Sequence, residues 1–164
     1  MGGAIRDIFL RATTDQMSAS AVGKYRDPVA YRAIVERAEY TTIVSKRVLG
    51  DLGIGPLGRM SIEGRRVPVT VVRIGVIADT GRYWVTMVAA VSSALARRAG
   101  RDEDGRRIDV ILGGDYLRLE RAILRGADGP HTREGDDEAC CSFGSFGRCW
   151  ATTRSQPTVP TSQR

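Results

Sequence analysis

The longest β-type run in the chain, Val67 to Ala78, is followed by Asp79-Thr80-Gly81 and then by a second apolar run from Tyr83 to Val91. Asp and Gly suit turn positions, and β-branched residues suit a pleated surface, so this pattern predicts two long antiparallel strands joined by a turn. Val67, Val69 and Val71 share one parity, whereas Val72, Ile74 and Val76 share the other. That switch predicts a bulge, or a strand buried on both faces. Upstream, Gly58 to Val67 reads as two strand ends around a turn at Gly64. Any fold for this chain must therefore be built around β-hairpins. Its 164 residues suit one domain, and its 42% hydrophobic content is enough for a core.

The remaining elements are shorter. Ile5, Ile8, Phe9 and Leu10 predict a first strand within residues 4–12, and residues 13–28 read as a loop. A strand is predicted from Ala30 to Val35 and a short one over Tyr40 to Val44. Ser45 is placed to cap a helix that starts at Lys46, runs to about Asp51 and ends at Gly53, with Val48, Leu49 and Leu52 on one face. Ser92 to Arg107 reads as a loop with a helical turn at residues 94–99. Ile108 to Leu112 is a strand ending at Gly113-Gly114, with Asp115 able to cap a short helix through Arg121 and a closing strand at residues 122–124. The domain is expected to span residues 1–126. Beyond it, Gly, Asp, Glu, Ser, Thr and Pro dominate, which predicts a poorly ordered tail over 127–164.

Two stretches carry a resemblance. Ala33-Ile34-Val35 leads into Glu36-Arg37, and Ala38-Glu39-Tyr40-Thr41-Thr42-Ile43 runs out of it. Downstream, Ile111-Leu112-Gly113 precedes Asp115-Tyr116-Leu117. This order resembles the retropepsin-like aspartic proteases. There an apolar lead-in meets Asp-Thr-Gly and a Thr- or Ser-rich strand, and a later hydrophobic-hydrophobic-Gly triplet opens a helix. Leu52-Gly53-Ile54 also fits the family's helix end. The resemblance covers about residues 30–125. It implies a small closed acid-protease-type β-barrel, mostly antiparallel, with one or two short helices. It also implies a homodimer, because each subunit of that family supplies one Asp.

The resemblance breaks at the motif itself. Where the family has three residues, this chain has two, Glu36 and Arg37. An aspartic protease needs two carboxylates that share one proton and hold one water. Glu36 takes the degenerate Asp position, with a carboxylate displaced by its extra methylene. Arg37 adds bulk and positive charge where the family has Gly. A literal Asp79-Thr80-Gly81 is the alternative site, but Arg82 follows it where a small residue belongs. Too few residues then separate it from Leu112 for a flap and its flanking strands. The resemblance places Ala38, Glu63, Gly64 and Gly113 around a substrate cleft, with Gly64 at a flap tip and Gly113 where backbone passes close to the active-site loop.

Three function classes follow. The first is a retropepsin-like domain without catalysis that serves dimerisation or peptide binding. The second is an active aspartic endopeptidase hydrolysing peptide or protein substrates as a homodimer. The third is a basic β-barrel that binds nucleic acid, which the net charge of +6 permits. It would require Lys and Arg clustered on one barrel face, and no stripe of basic residues interleaved with aromatics is evident. No cofactor or metal is expected. His131, Cys140, Cys141 and Cys149 lack zinc-site spacing, and three cysteines give no disulfide framework. No run is long and apolar enough to span a membrane, and Arg6 and Asp7 interrupt any signal-like start, so a cytoplasmic protein is expected.

Overall fold

The computed structural model describes residues 3–13, 27–127 and 131–134. Residues 1–134 form one compact unit. Residues 135–164, with the three cysteines and most of the expected tail, lie outside the described residues, as does most of the loop expected over 13–28.

The described residues are mainly β, with eight strands in one sheet. β1 (Ile5–Arg11) lies antiparallel to β2 (Val29–Val35), from Ile5 opposite Ile34 to Leu10 opposite Val29. The far end of β1 meets β5 (Arg65–Ala78) at Leu10 and Ile74. β5 and β6 (Gly81–Ser92) form the long hairpin, in register from Val69–Ala90 to Ala78–Gly81. β6 runs parallel to β3 (Ile43–Ser45), which lies antiparallel to β7 (Ile108–Leu112). β7 in turn runs parallel to β2. The order β5–β1–β2–β7–β3–β6 thus closes on itself through the β5–β6 pairing. A closed ring leaves few unpaired edges. β4 (Gly58–Ile62) extends the β5 side, and β8 (His131–Arg133) pairs with β6 across Tyr83 to Val85. The sheet therefore reaches into the stretch beyond residue 126.

The barrel is filled by inward residues of alternating parity. Val72, Ile74 and Val76 of β5 pack with Val85 and Met87 of β6, Leu10 of β1, Ala33 of β2 and Val110 and Leu112 of β7. The parity switch in β5 needs no bulge against β6, whose register is unbroken. Instead Val69 and Thr70 are both buried, one on each face. Helix α1 (Lys46–Leu52) closes one opening with Val48, Leu49 and Leu52 inward. Burying a side chain such as fully enclosed Leu52 contributes about 1.5–3 kcal/mol.

Helix α2 (Leu95–Ala99) follows β6, and α3 (Gly114–Leu124) follows β7. The strand expected at 122–124 is instead the last turn of α3, because Ile123 lies on the same inward face as Tyr116 and both are buried. The strand expected from Tyr40 is confined to Ile43–Ser45, since the residues before it belong to a loop pinned against α3. Ser45 does not cap α1 with its side chain. Its hydroxyl donates to buried Asp109 at 2.8 Å, a charge-assisted bond that turns the side chain toward β7. Among the described residues, no helix is long and apolar enough to cross a membrane.

Outside the barrel, Arg32 of β2 donates from Nε to buried Asp102 at 2.6 Å, and the Arg106 amide donates to the same carboxylate at 2.7 Å. The hydrogen bond from Arg32 holds the Asp102 carboxyl below its ordinary value of 3.8, aided by the Arg106 amide and both positive charges and opposed by burial. A depressed folded-state pKa adds stability above the unfolded value, and that stability is lost as pH falls through the folded pKa. Urea midpoints measured from about pH 5 down to about pH 2.5 are expected to fall more steeply in the wild type than in Asp102→Asn. Parallel slopes would contradict this assignment.

Candidate functional site

β2 and β7 run side by side and end together, with Val35 opposite Leu112. The two segments that carry the resemblance therefore meet at one point in space. Beyond Val35, the Glu36 N–H donates to the Leu112 carbonyl at 3.1 Å, extending the parallel ladder by one bond. The chain then turns, and the Glu39 N–H returns to the Glu36 carbonyl at 3.2 Å. Glu36 is half-buried, whereas Arg37 and Ala38 are exposed. The Ala38 amide faces the Glu36 carboxylate at 3.5 Å, a long and weak bond.

The rest of the loop is fixed against the start of α3. The Gly114 and Asp115 amides, which a helix leaves unpaired at its first turn, donate to the Glu39 and Tyr40 carbonyls at 2.8 and 2.9 Å. Asp115 is not the helix cap expected from the sequence, since α3 begins one residue earlier with Gly113 at the cap position. Its carboxylate accepts the Thr42 hydroxyl at 2.7 Å, the Thr42 amide at 3.0 Å and the Tyr116 amide at 2.7 Å. Thr42 is fully buried, and its Oγ accepts the Gly113 N–H at 3.1 Å. A Cβ at Gly113 would lie 2.6 Å from the Thr41 carbonyl carbon, so only glycine lets these two backbones pass. Further out, Arg98 of α2 pairs with Glu39. Arg118 of α3 stacks over the Tyr40 ring at 4.9 Å and donates to its hydroxyl at 2.7 Å.

The other predicted residues sit elsewhere. Asp79 occupies the exposed turn of the β5–β6 hairpin, where Thr80 Oγ and the Tyr83 hydroxyl are 2.8 Å apart and Arg133 donates to the Thr80 carbonyl at 3.0 Å. That is the setting of a hairpin turn. Glu63 and Gly64 form the exposed two-residue tip of the β4–β5 hairpin, with φ of 49° and 75°. Positive φ at both positions matches the strand twist, and glycine adopts it freely. The described residues show no hydrogen bond or ion pair between this tip and the Glu36 loop. Glu36, Ala38 and Gly113 are thus brought to one place, while Glu63, Gly64 and Asp79 lie on separate hairpin ends. His131 packs edge-on against Tyr83 with ring centroids 5.4 Å apart. No group of three metal-ligating side chains occurs among the described residues.

Chemically, the site presents one carboxylate per chain. Along the same loop Glu39 is engaged by Arg98, and Asp115 is saturated by Thr42 and Tyr116. Sequence reasoning missed the pivotal role of Thr42, which it read only as part of a β-type run. The signal was there in a Thr immediately before an apolar pair, matched by an Asp two positions after Gly113.

No family model matches this chain, and no curated protein matches it. Among solved structures it is similar to the retroviral protease-like domain of Ddi1 from Leishmania major, at 16% identity and a TM-score of 0.36, over 66% of this chain and 89% of that one.

Proposed function

We propose that this chain is a retropepsin-like barrel without effective proteolysis, acting as a homodimerisation or peptide-binding module. The observation that carries the reading is the meeting of β2 and β7 at Val35 and Leu112, with Glu36 as the residue that leaves the junction. In an aspartic protease that junction holds the catalytic Asp, and two copies bring two carboxylates together. Here a Glu side chain is longer by a bond, and a displacement of about 1 Å costs on the order of a hundredfold in rate. Arg37 adds a cation where the reaction needs two carboxylates with a single proton and a water between them. Retention of the pinned loop, from Glu39 through Thr42 to Asp115, supports a structural role that outlasts catalysis.

An active endopeptidase is the second reading. Glu36 favours it, since it is half-buried at the junction and its carboxylate has no ion pair among the described residues. Sedimentation velocity across a concentration series tests the shared premise. A reversible monomer–dimer equilibrium is expected, weakened in Arg37→Glu if the loop lies near the two-fold axis. A strict monomer at all concentrations would overturn the homodimer in both readings.

A further inference from the structure

On the flank of the barrel, away from the Glu36 loop, a cavity of about 440 Å³ is lined by Arg32, Arg47, Arg101, Arg106 and Arg107. The five guanidinium groups come from β2, the start of α1 and the 101–107 loop, so the fold gathers them from three separate segments. Two acidic residues, Asp7 and Asp109, also line it.

The carboxylates orient these arginines without exhausting them. Buried Asp102 receives Arg32 Nε at 2.6 Å and Arg106 Nε at 3.2 Å, while Arg32 Nη1 donates to Asp7 at 3.1 Å and its Nη2 lies 3.8 Å from Asp104, so Arg32 is fully engaged; Arg47 Nε lies 3.4 Å from Asp51. Buried Asp109 holds Arg47 Nη1 at 3.3 Å and faces Arg107 Nε at 3.1 Å. Asp104 receives Arg106 Nη2 at 3.0 Å. Arg101 has no carboxylate partner among the described residues and donates from Nη1 to the Gly105 carbonyl at 2.7 Å. A guanidinium carries five N–H donors in a planar fork. Arg47 Nη2, Arg106 Nη1, both terminal nitrogens of Arg107, and Nε and Nη2 of Arg101 make no hydrogen bond among the described residues. These donors lie around a cavity whose size is that of a small-ligand site.

We propose that this cavity binds a small phosphate-bearing molecule, its phosphate held in the arginine forks and its organic part over Tyr31 and Ala30. Guanidinium groups match tetrahedral oxyanions, and the donors left over on Arg47, Arg101, Arg106 and Arg107 are the ones that would meet the phosphate. The cavity is larger than a phosphate alone needs, which points to a phosphomonoester rather than the free ion. It is an open concavity confined to one flank, whereas a nucleic-acid strand would require a continuous basic track.

Calorimetric titration of the full chain at constant ionic strength tests this, with ribose 5-phosphate, inorganic phosphate, sulfate and a single-stranded oligonucleotide as probes. One saturable site is expected for ribose 5-phosphate, with tighter binding than for inorganic phosphate or sulfate. Arg101→Gln is expected to weaken it about tenfold or more, the loss of one charged hydrogen-bonding partner. Because Arg101 is exposed and anchored only to a main-chain carbonyl, the unliganded variant should melt with the wild type. Tighter binding of inorganic phosphate would reassign the site to the free ion and overturn the phosphomonoester. No saturable binding, equal affinity in Arg101→Gln, or binding to the oligonucleotide alone would overturn the proposal as a whole.

Discussion

Gly113→Ala is expected to destabilise the protein by about 3 kcal/mol or more, the range of severe overpacking in a site that cannot relax. Backbone preference is not the reason, since φ of −88° and ψ of −177° suit any residue. The cost comes from contact. An added Cβ would meet the Thr41 carbonyl carbon at 2.6 Å, its oxygen at 2.8 Å and the Thr42 nitrogen at 2.9 Å, all main-chain atoms. They cannot step aside without breaking the bonds from Thr42 to Asp115 and from Gly114 to Glu39. Thermal unfolding should show a midpoint lower by roughly 10 °C for a domain of this size. A midpoint within a degree or two of wild type would show that the two backbones do not cross so closely.

Thr42→Val should cost about 2–3 kcal/mol, although it keeps the shape of the side chain almost unchanged. Its hydroxyl does two jobs at once, donating to Asp115 at 2.7 Å and accepting from the Gly113 N–H at 3.1 Å. A methyl group in its place leaves a buried amide without a partner and a carboxylate short of a donor, and burying unpaired polar groups is more costly than losing a net hydrogen bond. Thr42→Ser retains the hydroxyl and loses only a buried methyl, worth roughly 1 kcal/mol. Denaturant titration of the pair therefore separates the hydrogen bond from the packing. No loss in Val beside a loss in Ser would assign the whole effect to packing. Asp115→Ala combined with Thr42→Val should be strongly non-additive, because each removes the same contact.

These two residues also show what the sequence revealed and what it concealed. The long hairpin was legible because β-branched residues and an Asp-Thr-Gly turn are local signals, and local signals specify local structure. Val48, Leu49 and Leu52 were legible as a buried helix face for the same reason. Gly113 could be read as a place of close approach only through the resemblance, and the structure shows the backbone it approaches. Pairing between distant segments was hidden. Ser45 looked like a helix cap until Asp109 from β7 claimed its hydroxyl. Residues 122–124 looked like a strand until Ile123 packed beside Tyr116 under α3. The arginine cavity was invisible for the same reason, since its members lie far apart in the chain and converge only when β2, α1 and the 101–107 loop come together.

The central claim, a retropepsin-like barrel whose chemistry has lapsed at Glu36-Arg37, is tested most directly by proteolysis. The wild type, Glu36→Ala and Asp79→Ala would be incubated with an unstructured peptide library from about pH 4 to about pH 7, the range in which a carboxylate pair can act as acid and base. Folding of each would be confirmed beforehand. The expected result is no cleavage by any of the three at any pH. Cleavage by the wild type that is lost in Glu36→Ala and kept in Asp79→Ala would contradict the claim and make Glu36 a working catalytic carboxylate. Cleavage lost only in Asp79→Ala would contradict it too, by moving the site to the β5–β6 turn.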